Sequence, residues 1–379
     1  MTDRETEILH IIEKDPTISQ NQIADMLGIT RSSVSVYINN MTKKGILRGR
    51  GYIIARERYP LVVGAVNMDI IATPQPQDLA EPLCAGRIFE DSRVAVRYGG
   101  CAKNVSELLV RLGCAPRMIA AIAGDIFGRS ILQECRDQGI VTDSSLVLEG
   151  ASTSLIVEVQ DPGGQQVLTG LRSRNIAQQI TPGFLRQQAP VLSQAAQIVI
   201  EDKLSAETLS YLTAAWGDRP LFLHATSYSR TGVYIGLLDR FHTVLIPPEI
   251  ACIAAGAERT DGSDLGTVRE LARQLMQMGA RRAVLPLPDG TLCLADGAGY
   301  TVYAPAVGRT AGYTFYRDAV MAGLVYSCDR GLDERETLRF LAACREAALQ
   351  SGGGESFCLP LVKQQLEKGG GRFFQAAWA

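Results

Sequence analysis

Histidine is scarce in this 379-residue sequence, which contains only His10, His224 and His242. The nine cysteines are scattered along the chain, and no two of them form the Cys-x-x-Cys pair that is typical of zinc and redox sites. An odd number of dispersed cysteines does not indicate a disulfide framework, and three separated histidines do not indicate a metal centre. We therefore predict neither disulfides nor a bound metal from this pattern.

Long hydrophobic runs are also missing, since no apolar stretch approaches the roughly 20 residues that cross a bilayer. The first ten residues, MTDRETEILH, carry acidic side chains where a signal peptide would be basic. We expect a cytoplasmic protein without membrane contact. The composition, 46% hydrophobic and 21% charged, is globular. A chain of 379 residues exceeds one ordinary core, so we expect a large domain and at least one smaller one.

Residues 3–54 read as a compact helical unit. Ser19 and Thr30 are placed to cap two successive helices, and Gly28 is placed to end the first of them. Two helices joined at a glycine, the second with a small polar leading edge, predict a helix-turn-helix. The segment ILRGRGYII that follows predicts a short hairpin. A helical protein-interaction module is the alternative.

The distribution of charge favours nucleic-acid binding over a protein-interaction module. From Thr30 to Arg58 there are seven basic residues and one acidic residue, a local charge of +6 in a chain whose net charge is −2. The unit resembles the winged helix-turn-helix of bacterial transcription regulators, which implies contacts with double-stranded DNA and a homodimer. The predicted DNA-binding residues are Arg31, Ser32, Ser33, Ser35, Tyr37, Lys43, Arg48 and Arg50, with the two last arginines on the wing.

The stretch YGGCAKNVSELLVRLG, residues 98–113, begins with a glycine pair and continues as an amphipathic helical pattern. Paired glycines, Gly99 and Gly100, stand where a helix with apolar positions at helical spacing begins. Bare backbone and the free N–H groups of a first helical turn favour a ligand site, although a simple glycine turn before an amphipathic helix remains open. Upstream, the buried strand predicted at 61–66 leads to Asn67 and Asp69, at the carboxyl end where α/β sheets place ligands. Asp69 as a turn-forming residue is the alternative.

From residue 195 onward, strand-like and helix-like segments alternate, which predicts a doubly wound parallel sheet. Together with LVVGAVNMDI (61–70) and AGDIFGRSILQECRDQGI (123–140), the glycine motif resembles the PfkB, or ribokinase-like, family of sugar and nucleoside kinases. We therefore predict the winged helix-turn-helix at 1–56, and the PfkB resemblance implies a ribokinase-like domain at 57–379 with a small β lid from parts of 73–98 and 152–170. It also implies substrate contacts from Asn67, Asp69, Gly99, Gly100 and Asn104.

The positions that correspond to the family's magnesium- and nucleotide-binding motifs depart from the family pattern. In VLIPPEIACIAAG (244–256), Pro248 and Ala251 stand where the family has an asparagine and a glutamate that organise magnesium, and neither offers a side-chain oxygen. Pro288 falls at the expected nucleotide loop. The family's Gly-Ala-Gly anion hole becomes Phe315, Tyr316 and Arg317, although a shifted alignment would bring Gly308 or Gly312 nearer, and an arginine can itself bind phosphate.

Asp318 remains at the position of the family's catalytic base. Our leading hypothesis is a transcription regulator whose kinase-fold domain senses a sugar or nucleoside, with weak or lost phosphotransfer and no certain cofactor. The alternative is an active kinase that uses ATP and magnesium. That alternative resembles the pseudouridine kinase branch, because of the Val-Gly-Ala-x-Asn-x-Asp opening and the fused helix-turn-helix.

Overall fold

A computed structural model describes residues 2–15, 18–44, 46–48, 53–54, 58–80, 88–161, 170–258, 260, 264–305, 313–351 and 356–378. The chain divides into two compact units, Met1–Arg58 and Tyr59–Ala379. The division falls two residues beyond the boundary that the sequence predicted at residue 56.

The first unit contains three helices and a two-stranded hairpin. Its elements are α1 (Asp3–Lys14), α2 (Gln20–Leu27), α3 (Arg31–Lys43), β1 (Leu47–Arg48) and β2 (Ile53–Ile54). Ser19 and Thr30 cap α2 and α3 as predicted, and Gly28 ends α2 in the left-handed region at φ 63°. Apolar side chains from all three helices and β1 form one buried core, which includes Ile8, Ile23, Val34, Met41 and Leu47.

The second unit is built on a ten-stranded sheet in the order β16-β15-β14-β13-β12-β11-β10-β3-β6-β7. Its strands are β3 (Tyr59–Gly64), β6 (Arg117–Ala123), β7 (Leu146–Leu148), β10 (Ala195–Glu201), β11 (Leu221–His224), β12 (Thr243–Leu245), β13 (Arg282–Pro286), β14 (Leu292–Asp296), β15 (Gly299–Ala304) and β16 (Arg372–Ala377). The seven strands from β7 to β13 run parallel. The last three form an antiparallel edge, which the sequence analysis did not predict.

Helices cover both faces of this sheet. They are α4 (Cys101–Arg111), α5 (Ile126–Asp137), α6 (Pro182–Gln187), α7 (Ala189–Gln194), α8 (Ala206–Ala215), α9 (Pro248–Ala255), α10 (Leu265–Gln277), α11 (Tyr313–Arg330), α12 (Glu334–Gln350) and α13 (Leu359–Lys368). Alternate residues of β3 divide between two cores, since Leu61 and Val63 join one and Val62 joins the other. A strand buried on both sides explains its continuous apolar sequence. The predicted α/β fold with a mostly parallel sheet is confirmed.

A separate four-stranded sheet, the lid sheet, has the order β5-β4-β8-β9. Its strands are β4 (Asn67–Thr73), β5 (Arg93–Gly99), β8 (Leu155–Val159) and β9 (Leu171–Arg172). The strand expected near 166–168 lies outside the described residues. Strand β4 starts only three residues after β3 ends, so the chain passes directly from the main sheet into the lid sheet.

Candidate ligand and active site

The passage from β3 into β4 places two predicted ligand residues against each other. Asn67 is fully buried, and its Nδ2 donates a hydrogen bond to Oδ1 of Asp69. Gly99 pairs with Asn67 across the lid sheet. A Cβ atom at Gly99 would collide with the Asp69 carboxylate, so only glycine leaves room for this acid.

Gly100 begins α4 in a conformation that also favours glycine, with φ at 98°. A Cβ there would lie 2.5 Å from the carbonyl oxygen of Ala65. The N–H group of Ala102 donates to that same carbonyl over 3.2 Å. The glycine pair thus allows the start of α4 to pack directly on the backbone that connects β3 to β4.

Both acidic and basic side chains influence the pKa of the Asp69 carboxyl group. Burial raises its pKa to about 7, Glu158 raises it further, and Arg172 and Arg97 oppose the rise. Arg172 also donates from Nη1 to Oδ1 of Asn67 over 3.5 Å. The group therefore exchanges between acid and carboxylate near neutral pH.

Asn104 joins this region to Asp318. Its Nδ2 donates to Oδ2 of Asp318 over 2.9 Å. Asp318 is 1% exposed, and burial raises its pKa to about 7, while Asn104 and Arg317 oppose the rise. All five predicted substrate residues and Asp318 therefore meet around the first turn of α4, where Asn104 forms a hydrogen bond with the predicted catalytic base.

Two further residues near Asp318 were missed by the sequence analysis. His224 ends β11 with 1% exposure, and its Nε2 lies 3.7 Å from Oδ1 of Asp318. Burial lowers the pKa of His224 to about 3, helped by Arg317 and Lys203. Cys101 is the first residue of α4, and the ligand atoms of Cys101, His224 and Asp318 all lie within 4.8 Å of one another.

Glu201 is a third missed residue. It ends β10, the neighbour of β3, and its buried Oε2 accepts a hydrogen bond of 2.7 Å from the N–H group of Ala65. Burial raises its pKa, and Lys203, whose Nζ is 3.7 Å from Oε1, opposes the rise. The Glu201 carboxyl group thereby holds the connection between β3 and β4 through a hydrogen bond to its backbone.

The two positions at which the family organises magnesium carry apolar side chains. Pro248 is the first residue of α9 after an N-cap at Pro247, and Ala251 is fully buried. Oε1 of Glu249 lies 3.7 Å from Nη1 of Arg317. Because magnesium requires oxygen ligands, Pro248 and Ala251 do not fit the ion at the positions where the family places it.

Buried side chains also pack against the loop that follows β13 and contains Pro288. Tyr316 is 1% exposed, and its hydroxyl donates to the carbonyl of Leu287 over 2.6 Å. The Arg345 guanidinium lies 5.5 Å from the Tyr316 ring centroid, and a Cβ at Gly290 would collide with it. Tyrosine and arginine thus occupy the space between α11, α12 and this loop.

Helix α11 begins at Tyr313, so Phe315, Tyr316 and Arg317 all lie inside it and Asp318 is its sixth residue. In an α-helix the fifth N–H group donates to the first carbonyl, which leaves the N–H of Arg317 engaged. Of the three N–H groups at residues 315–317, the helix's own hydrogen bonding therefore engages that of Arg317. Gly308 and Gly312, the alternatives for the family's anion hole, lie outside the described residues.

The first unit presents the predicted DNA-binding residues on α3. Arg31, Ser32 and Lys43 are exposed, and Ser33, Ser35 and Tyr37 are partly exposed. The Thr30 hydroxyl lies within hydrogen-bond distance of both serine hydroxyls at 32 and 33. The side chain of Arg48 and all of Arg50 fall outside the described residues.

Among the described residues, the helices include none that combines the length and the apolar character of a membrane span.

Comparisons with known proteins agree with both units. A winged helix-turn-helix DNA-binding model matches residues 1–48, and the pfkB family carbohydrate kinase model matches residues 58–215. Uncharacterized sugar kinase YeiI of Escherichia coli (strain K12) is 31% identical over 93% of this chain and 95% of its own length. Pseudouridine kinase of that organism is 24% identical over 77% of this chain and 90% of its own length.

The fold of the second unit also matches solved structures. Arabidopsis thaliana ribokinase complexed with ribose and ATP superposes with a TM-score of 0.66 at 16% identity, over 82% of this chain and 99% of that chain. These matches define a ribokinase-like kinase domain that follows a winged helix-turn-helix. The chain belongs to the pfkB family of carbohydrate kinases.

Proposed function

We propose that the protein is a DNA-binding transcription regulator whose kinase-fold domain senses a sugar or nucleoside, with weak or lost phosphotransfer. The observation that carries this proposal is the contrast between the two halves of the site. The hydroxyl-binding half keeps polar groups around the start of α4, where Asn67 donates to Asp69 and Asn104 donates to Asp318. At the phosphate half, Pro248, Ala251 and a buried Tyr316 replace groups that would bind magnesium and phosphate.

The lid sheet supplies the switching element in this proposal. Arg97 and Ile156 pair with Asp69 across the sheet, and Arg172 pairs with Ile156, so these residues share the face of Asp69. A ligand held by Asp69 would contact this face and favour a closed lid over an open one. A ligand with different affinity for two states shifts their populations, and we propose that this shift changes DNA binding.

A homodimer is part of the same proposal, because helix-turn-helix proteins bind paired half-sites. The opposite face of the lid sheet carries an apolar row of Val96, Ile70, Val157 and Leu171 on four adjacent strands. Val96, Val157 and Leu171 are 58%, 39% and 68% exposed. Such a row favours burial between two copies, and a solution mass at micromolar concentration checks it.

An active sugar or nucleoside kinase is the second candidate. It is favoured by the buried Asp318 carboxyl, whose pKa of about 7 suits a general base, and by the similarity to proteins named as sugar kinase and pseudouridine kinase. Kinases of this family generally use ATP and magnesium. Under this proposal the protein would require both.

A thermal-shift screen of nucleosides and pentoses tests the proposed function. A ligand that binds only the folded state raises the melting temperature, by an amount that grows with its concentration over its dissociation constant. We expect a hit among these compounds, and no further rise with ATP and magnesium. A saturable rise with ATP and magnesium would favour the kinase instead, and DNA binding unchanged by every hit would contradict the sensor.

The DNA side has its own test. Replacing Arg48 and Arg50 together by Ala should weaken binding to all DNA sequences similarly and reduce the slope of log K against log salt by about 2, because each phosphate contact contributes about 0.9. Substitution of Ser33 or Tyr37 should instead change sequence preference. Arg4→Ala, on the exposed surface of α1, is the matched control. An altered specificity with an unchanged salt slope in the double variant would refute the wing assignment.

A further inference from the structure

The cluster of Cys101, His224 and Asp318 combines a thiol and an imidazole, which neither proposed function uses, with the carboxyl group of the kinase proposal. Its three residues begin α4, end β11 and lie in α11, so three packed elements bring a thiol, an imidazole and a carboxyl group together at one edge of the sheet. Their ligand atoms all lie within 4.8 Å of one another. Sulfur, nitrogen and oxygen in such a set are the donors that zinc and related ions take from proteins.

His224 supplies an independent indication. Both of its ring nitrogens are buried and have no hydrogen-bond partner among the described residues. The 3.7 Å between Nε2 and Oδ1 of Asp318 is too long for a hydrogen bond. A buried polar group without a partner is destabilising, and native structures seldom retain one without a role.

We propose that Cys101, His224 and Asp318 bind one divalent transition-metal ion of the zinc class. In a tetrahedral zinc site the ligand atoms lie about 3.5 Å apart, so the observed cluster closes with shifts of about an ångström. Three protein ligands leave the fourth position open to water or to a hydroxyl of a bound small molecule. Binding replaces the Cys101 thiol proton, which passes to solvent, and forms the metal–sulfur bond.

The cluster discriminates against magnesium. Magnesium requires an octahedral set of oxygen atoms, and here only Asp318 provides one. The ion would lie against the carboxyl group that serves as the base in the kinase proposal, and the site depends on neither proposed function.

Cobalt(II) binding to the full-length, chelator-treated protein tests the site directly. We expect one equivalent of cobalt to produce the intense visible bands of a four-coordinate ion and a sulfur-to-cobalt charge-transfer band. Zinc should displace the cobalt, and a large excess of magnesium should not. Absence of the charge-transfer band at one equivalent would overturn the proposal.

Variants identify the ligands. Cys101→Ser should remove the charge-transfer band, and both it and His224→Gln should weaken zinc binding by more than about 100-fold, since even outer-shell changes cost 10- to 100-fold. Cys114→Ser, just beyond the other end of α4, is the matched control and should bind normally. Retention of the band in Cys101→Ser, or its loss in Cys114→Ser, would refute the assignment.

Alkylation of the unmodified protein covers the case in which a variant fails to fold. Zinc should protect Cys101 from iodoacetamide, as read by mass spectrometry of peptides, and should leave the labelling of Cys114 unchanged. Equal labelling of Cys101 with and without zinc would contradict coordination by its thiolate.

Discussion

Asp318→Asn should lower any phosphotransfer by this protein at least about 100-fold, because an amide cannot accept the proton of the attacking hydroxyl. The side chain keeps its size, and its amide oxygen still accepts the hydrogen bond from Asn104. Magnesium-dependent ATP consumption with a panel of nucleosides and pentoses is the measurement. Asp329→Asn, near the other end of α11 and about half exposed, is the matched control.

The two proposed functions give different results in this experiment. A regulator without phosphotransfer shows little ATP consumption in the unmodified protein, and the Asn variant should then bind DNA nearly as the unmodified protein does. Robust consumption that disappears in Asp318→Asn and persists in Asp329→Asn would instead reject the sensor-only proposal. Repeating the reactions with a zinc-selective chelator that leaves magnesium free separates this effect from any change in zinc binding.

Asp69→Ala should remove the response of DNA binding to the small molecule. A hydrogen bond to a charged group contributes about 1.5–3 kcal/mol, so the ligand should bind roughly 10- to 100-fold more weakly. Ligand titration by calorimetry and by DNA-binding assay measures both effects. Asp143→Ala, in an exposed turn before the edge strand β7, should behave as the unmodified protein. Full retention of the ligand response in Asp69→Ala would exclude this residue from the ligand site.

The pH dependence of ligand binding follows from the same group. Burial holds the pKa of Asp69 at about 7, above the value near 4 that an unfolded chain gives it. Between those values the folded state binds the extra proton, so this residue makes the protein less stable as pH rises toward 7. A carboxylate accepts hydroxyl hydrogen bonds better than its acid, so affinity should increase from pH 6 to pH 8. Asp69→Ala should abolish that increase.

Local sequence signals predicted much of the architecture. The helix caps at Ser19 and Thr30 and the left-handed Gly28 depend only on nearby residues, and the structure has all three. The all-apolar run of β3 predicted a strand buried on both faces, which the two cores confirm. Asn67 and Asp69 were expected just after that strand and instead belong to the next one. The strand signal continues across a two-residue connection, Ala65 and Val66, that has no turn residue to mark it.

Contacts between distant segments were not predictable in the same way. Cys101, His224 and Asp318 are separated by more than ninety residues at each step, and no motif links them. A weaker signal existed for His224, because a polar residue ended a predicted parallel strand at the ligand edge. The antiparallel edge strands β14 and β15 also had a signal, because Asp296 and Gly297 divide the apolar run 292–295 from the segment 299–304. The pairing of β15 with β16 joins segments about seventy residues apart, which local patterns do not specify.

The first turn of α4 links the residues beside Asp69 to Asp318, although these segments are far apart in the sequence. Gly100 is seated on the backbone beside Asp69, Cys101 belongs to the metal cluster, and Asn104 holds Asp318, all within five consecutive residues. A helix moves as a rigid rod, so a molecule that displaces its start by a fraction of an ångström must also displace the partner of Asp318. In the proposed regulator, a ligand held by Asn67 and Asp69 would therefore affect Asp318 without touching it.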